Sequence, residues 1–407
     1  MNPSIGSSPR PATRPHSIAV ICLSAVAVGA AGVTFPASST VLRARLALSD
    51  TLYGACFIPG LALAILTALA GPRLLRRWPL KRLFLFGLTT QAAAMALLAL
   101  CSALPRPAGL VTLFAAMLLT GPGGGLFGIA LNTAAIEIFP RARGTALAML
   151  HALFAAGAAL WPVIVATAAR WQLWAMAPLA LTVILLAVAQ RSGRRATAGL
   201  ADGLIPEHGR FANHPRLGLR ALTGFLYGIG EATFTSWVVI YLRENHHLPL
   251  PVAAGALSGF WLAMGIGRAS AAWVVHRRAV LPVALALASG MAVSFLLVAH
   301  CSPANAVWRF ALAGLCCSAL FPLLLALGSL ELPDRTPHVS ALFSAAGMSG
   351  LAVGSFGVGP LRAGLGLPAI YALSSVGPVL LILLLLGLQI FRASPAPRSA
   401  GGPRPHV

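Results

Sequence analysis

Acid is scarce in this chain: 8 Asp and Glu among 407 residues, against 29 Lys and Arg. Charged residues of either sign make up only 9%, which excludes an ordinary soluble domain, where about a quarter of residues carry charge. Cysteine is scarce too. Each of the six, Cys22, Cys56, Cys101, Cys301, Cys316 and Cys317, lies in or at the edge of an apolar run without ligand partners at metal-site spacing. They read as small packing residues, neither a disulfide framework nor a metal centre. No Ser-His-acid set, paired carboxylates or His-rich cluster emerges, so neither an enzyme nor a bound cofactor or metal is expected. What the chain does have is apolar surface: 58% hydrophobic residues and a mean hydropathy of +0.85. That is the composition of an integral membrane protein.

A bilayer core takes about 20 apolar residues per helix, and twelve such runs are found. They centre on 18–38, 51–71, 83–103, 110–138, 145–168, 172–190, 218–242, 252–275, 280–300, 306–330, 339–361 and 367–391. In lipid the backbone must bond internally, and runs this long exceed barrel strands, so the expected fold is all-α. The Pro- and Ser-rich segment 1–17 reads as a disordered tail. It does not read as a cleavable signal, because the first apolar run outlasts a signal's apolar region and lacks a clear small-residue cleavage site.

The net charge of +21 reports topology, not a nucleic-acid partner. Basic residues crowd alternate loops: Arg73, Arg76, Arg77, Lys81 and Arg82; Arg141 and Arg143; Arg191 to Arg220; Arg277 and Arg278. The intervening loops carry one or two each, such as Arg106, Arg170, Arg243 and Arg362. The positive-inside rule then puts both termini in the cytoplasm of a bacterial-type inner membrane, with some attraction to anionic lipid.

The expected organisation is a six-helix bundle over 18–190, a charged linker over 191–217, a second six-helix bundle over 218–391 and a tail over 392–407. The two halves repeat. "AIEIFPRARGTALAMLHALFAAGAAL" from Ala135 aligns with "SLELPDRTPHVSALFSAAGMSGLAVG" from Ser329, matching Glu137 to Glu331. More weakly, "GVTFPAS" (Gly32 to Ser38) matches "EATFTSW" (Glu231 to Trp237). Parallel six-helix repeats joined by a linker are a transporter plan, with the solute site between the bundles near the midplane.

With these features the chain resembles the major facilitator superfamily. "GPRLLRRWPLKRL" (Gly71 to Leu83) is similar to its signature loop, with Leu75 where an aspartate is usual. "FLYGIGEATFTSW" on run seven, "GFWLAMGIGR" on run eight and "LHALFAAGAALWP" on run five are similar to the fucose-permease-like branch. "GAALWP" also partly resembles the helix-five motif of drug/proton antiporters, with Trp161 in place of a glycine. The resemblance implies a monomeric, proton-coupled secondary transporter working by alternating access.

Glu231 is the leading functional candidate, since a carboxylate at mid-membrane depth must face protein or water. Gly224, Tyr227, Gly228, Glu231, Thr235 and Val238 share a helical face expected to line the cavity. Glu231 is either a proton and solute group or a structural acid. Arg268 either snorkels, pairs with an acid or binds an anionic solute group. Asn132 is a solute ligand or an interhelical bond, with Gly128 where relatives often carry an aspartate. His151 is a packing residue or a proton relay, and Gln91 and Trp261 are further cavity candidates. Glu137 and Glu331 are expected to form a cytoplasmic gate with Arg73, Arg76, Arg77, Arg277 and Arg278, or else to be solvated acids at helix ends. "GPGGG" (Gly121 to Gly125) should bend or loosen run four and permit close helix contact.

The deep polar inventory is small for a sugar site, which needs many hydrogen-bond partners. The reading leans toward proton-driven export of an amphipathic metabolite, siderophore or drug. The alternatives are proton-coupled uptake of a sugar or similar polar solute, and a non-transporting scaffold or sensor.

Overall fold

The computed structural model describes residues 15–139, 143–194, 215–331 and 336–393, and among these the regular structure is entirely helical. The first half holds α1 (Pro15–Ala37), the short α2 (Ser39–Leu46) and α3 (Asp50–Ala55), then α4 (Phe57–Arg77), α5 (Leu80–Leu100), α6 (Arg106–Ile138), α7 (Arg143–Arg170) and α8 (Met176–Arg194). The second holds α9 (Pro215–Glu244), α10 (Leu250–Arg277), α11 (Val280–Ala299), α12 (Ala306–Cys317), α13 (Leu320–Glu331), α14 (Thr336–Ser374) and α15 (Val376–Ala393). Most of the 191–217 linker, the 1–17 and 392–407 tails, and Arg141 lie outside the described residues.

Among the described residues eleven stretches are long and apolar enough to cross a membrane, the last being the 51 residues Val339–Gln389. At about 1.5 Å per residue that stretch would be roughly 76 Å of helix, more than two bilayer cores. It is broken at Gly366, where φ of +72° and ψ of 159° leave the helical region. Only glycine adopts this backbone cheaply, and the break yields the twelve crossings expected. α2 is an addition to that expectation, whereas α3 is the start of the expected run 51–71, set off from α4 at Cys56. Ser49 caps α3 by accepting from the Leu52 N–H at 3.2 Å.

Without water inside a bilayer, helices associate by close packing, and glycine sets the approach. Within the first half α7 crosses α1 at Gly157, where an added Cβ would stand 1.9 Å from the Val26 carbonyl oxygen. Within the second, α14 crosses α9 at Gly350, where an added Cβ would stand 2.1 Å from the Phe225 carbonyl oxygen. These are equivalent helix pairs of the two repeats, so the repeat is built into the packing. α6 is continuous through "GPGGG", with Pro122 inside it, and the close helix contact expected there is present. Its glycines admit neighbours: Gly121 abuts Gly60, Gly123 abuts Gln91 and Gly125 abuts Thr67. Large apolar side chains such as Val111, Leu66 and Trp308 stay exposed, the surface that lipid covers.

Candidate functional site

Crossing ten is interrupted. α12 ends at Cys317 and α13 begins at Leu320, because Pro322 has no N–H to offer the Ser318 carbonyl four residues earlier. Carbonyls released at this depth need new donors. Tyr227 Oη donates to the Cys317 carbonyl at 3.1 Å, and Arg268 Nε donates to the Ser318 carbonyl at 2.9 Å. Arg268 lies nine residues before the end of α10, roughly 13 Å along the helix. It turns inward to the break, which decides against the snorkelling orientation. Its two terminal nitrogens have no hydrogen-bond partner among the described residues.

Glu231 sits mid-way along α9, half-buried by area yet enclosed by protein. Its electrostatic neighbours are Arg268, the Tyr227 hydroxyl and the Cys317 thiol. His151 comes from α7, in the other half, and lies within electrostatic reach of Arg268. It too has accessible area while being enclosed by protein. A carboxylate, a guanidinium and an imidazole thus converge where the halves meet, beside a broken helix.

Trp261, Gly265 and Arg268 occupy positions i, i+4 and i+7, one face of α10. Trp261 meets Phe154 of α7 edge-on with ring centroids 6.1 Å apart. An added Cβ on Gly265 would stand 3.0 Å from Ala155 Cβ. This face therefore looks across the seam at α7. The Trp261 indole Nε1 is buried without a hydrogen-bond partner among the described residues.

Other candidates lie elsewhere or are already engaged. Thr235 donates to the Glu231 carbonyl at 2.9 Å, within its own helix. The glycines of the supposed cavity stripe serve packing instead: an added Cβ on Gly228 would stand 2.1 Å from the Gly347 carbonyl oxygen, and Gly224 abuts Phe343. Val238 is fully buried, so only part of that stripe lines anything. Gln91 is buried between α5 and α6 against Gly123, its Oε1 unpartnered; that places it within the first half, away from the seam. Asn132 is half-buried on α6, and no hydrogen bond ties it to the cluster.

At the end where the gate was expected, Glu331 has a partner outside the expected set of arginines. It is held by Arg220 of its own half, with Arg220 Nε to Oε2 at 2.8 Å and a second bond from Nη2 to Oε1. Both side chains are almost fully buried. Arg277 stacks on Trp273 with its guanidinium carbon 4.3 Å from the ring centroid, and Arg278 is exposed. Arg73, Arg76 and Arg77 are exposed at the end of α4, while the Glu137 side chain lies outside what is described.

The charges that join the halves are at the opposite end. Arg43 of α2 binds Asp50 of α3 at 2.6 Å and Glu244 of α9; Arg362 of α14 binds Asp50 at 2.7 Å and Glu244 in turn. Beneath this ring Tyr53 Oη donates to the Ser236 carbonyl at 2.7 Å and its ring meets Trp237 edge-on. Gly54 abuts the Phe356 backbone, and Gly359 that of Asp50. This latch end is closed across the seam. A cleft of about 560 Å³ beside it, lined by Thr40, Val41, Ala166, Arg170, Arg243 and Leu250 among others, contains none of the central cluster. Nearby, Cys301 Sγ lies 3.3 Å from His246 Nε2. Burial pushes the thiol up and holds the imidazole below its usual range, so both stay neutral and the pair is packing.

Two features here escaped the sequence reading. The "CCSALFP" stretch (Cys316 to Pro322) carried the signal for the break in its proline. Asp50 and Glu244, acids flanking apolar runs in arginine-poor loops, carried that for the latch.

Residues 20–355 match the family model described as Major Facilitator Superfamily. The chain belongs to the major facilitator superfamily. No curated sequence relative matches it. Among solved structures it is similar to the transporter FucP, captured in an outward conformation, with a TM-score of 0.63 and 16% identity over 93% of this chain and 98% of that one. It is also similar to the human organic anion transporter MFSD10 (TETRAN), with a TM-score of 0.66 and 15% identity over 91% of this chain and all of the other. As a member of this superfamily the chain is a multi-pass membrane transporter of small solutes, not an enzyme.

Proposed function

We propose that this superfamily member is a proton-coupled transporter of an amphipathic organic solute, with Glu231 as the group that takes and releases the proton. The observation that carries this is the placement of an acid at mid-helix, enclosed by protein yet accessible, with no hydrogen bond stronger than its approach to Tyr227. An acid kept only for structure finds a full set of donors, as Glu331 does with Arg220. With the latch end closed, protons and solute reach Glu231 from the end that carries the linker. The two end states exchange by rocking about the α7–α10 and α4–α14 contacts. The apolar seam around Trp261 and Phe154 suits an amphipathic molecule better than a polyhydroxylated one. Export is the direction to which the sequence leans, in a bacterial-type inner membrane with the linker end inside.

The test is reconstitution. Wild-type and Glu231→Gln protein in proteoliposomes are compared for solute-dependent proton flux under an imposed proton gradient. The variant should insert and fold normally and lose proton flux. Wild-type coupling in Glu231→Gln removes Glu231 from the mechanism.

A further inference from the structure

Resting on that reading, we infer that the transported solute is an organic anion seated on Arg268, and that it is carried together with a proton as a neutral pair. Three observations converge. Arg268 is anchored through Nε alone, to the Ser318 carbonyl, which leaves the paired terminal N–H groups without a partner among the described residues. A guanidinium presents these as a planar fork matched to a carboxylate, sulfonate or phosphate. Glu231, the acid within electrostatic reach, makes no ion pair with it, so the fork is available. Two turns along the same face of α10 is Trp261, more than nine-tenths buried, its indole N–H unpartnered and its ring against Phe154. An anionic head on Arg268 and an aromatic or acyl body reaching Trp261 would span about 10 Å.

The proton follows from charge accounting. The charged and titratable groups around Glu231 are Arg268 from α10, Cys317 from α12 and Tyr227 from α9, with His151 of α7 beside Arg268. In the empty site the charge of Arg268 would offset that of an ionised Glu231. When an anion takes the guanidinium, two negative charges share one positive in a medium of low polarity. A proton from solvent then binds the Glu231 carboxylate and restores neutrality. The site has the same net charge before and after, because one anion and one proton have entered. Anion and proton thus promote each other's binding, and a gradient of protons drives the pair inward. For an anionic solute the structure therefore favours uptake over the export toward which the composition leans.

The full-length purified protein tests this by calorimetry in two buffers of different ionisation enthalpy, which reports protons bound per ligand. The probes are octanoate and indole-3-acetate, each beside its uncharged amide, with octylamine as the cation. The acids should bind with uptake of about one proton at neutral to mildly alkaline pH, and the amides should bind about 10- to 100-fold more weakly. Arg268→Gln should remove that preference, whereas Glu231→Gln should bind the acids without taking up a proton. Octylamine binding with proton release would overturn the anion assignment while leaving proton coupling at Glu231 standing. Ligand binding with no proton exchange in either direction would sink both. Failure of every acid to bind, or equal binding of acid and amide, also overturns the inference.

Discussion

The latch ring makes the sharpest structural prediction. Arg362 touches both acids of the ring, so Arg362→Gln deletes two of its four bridges and leaves Arg43 to hold Asp50 and Glu244 alone. The arginine side chains are 16–17% exposed and the acids 29% and 39%, so solvent screens part of each attraction. Exposed pairs contribute about 0.2–1 kcal/mol each, and joined pairs lie at the upper end. Losing two should therefore weaken the latch-closed state by about 1–2 kcal/mol, a shift of roughly 5- to 30-fold in the equilibrium between end states. Spin labels at Trp171, just beyond α7, and Asn245, just beyond α9, flank the seam at this end, and pulsed electron resonance reads the distance between them. The wild type should populate mainly the short distance, and Arg362→Gln should populate a longer one. Raised ionic strength should move the wild type in the same direction. A distance distribution unchanged in both Arg362→Gln and Glu244→Gln refutes the latch.

Three further outcomes follow from the packing. Arg220→Leu removes the two-bond partner of the almost fully buried Glu331 carboxylate, which should cost up to about 3–5 kcal/mol; thermal unfolding in detergent should shift downward while the latch distance in surviving protein stays put, because the pair lies within one half. Gly228→Val drives a side chain into the Gly347 carbonyl, where even a Cβ would stand at 2.1 Å, and should abolish the folded α9–α14 pair, seen as loss of monodisperse protein on size exclusion. Pro322→Ala restores the N–H that Ser318 lacks; if it closes the helix across Ser318, Arg268 loses its Nε acceptor and the apparent KM for solute should rise several-fold at unchanged expression.

The fold was legible because the bilayer leaves few choices. Twelve apolar runs had to become helices, and the repeat from Ala135 to Ser329 implied two matching halves before any coordinates. Glu231 stood out as a candidate for the same reason, an acid being costly at that depth. What did not follow was which neighbour each polar group meets. Glu331 pointed equally well to any nearby arginine, and Arg220 was hidden among the linker's basic residues. Gln91 resembled a cavity residue because sequence gives the depth of an amide but not its direction, which close packing at Gly123 decided. The glycines of α9 implied a small-residue face correctly, but such a face serves a cavity or a tight crossing equally, and α14 occupies it.

The helix break ties the site to the movement of the halves. Arg268 belongs to α10, whose opposite contacts run to α7 in the first half, yet its Nε is bound to the start of the α12–α13 break in the second. α13 in turn ends at Glu331, held to α9 by Arg220, and α9 carries Glu231 midway between that pair and the latch residue Glu244. A ligand that draws the guanidinium fork toward the seam therefore pulls on a carbonyl with no intrahelical donor, the least costly part of the bundle to deform. The same displacement alters the charge seen by Glu231. Binding, protonation and the tilt of α10 against α7 are thus linked through one side chain, so a variant that keeps the charge without the planar fork separates them. Arg268→Lys should retain a cation for the anion while losing the geometry that bridges Ser318 and ligand. It should bind solute at reduced affinity and exchange end states more slowly; turnover equal to wild type would show that the charge alone suffices.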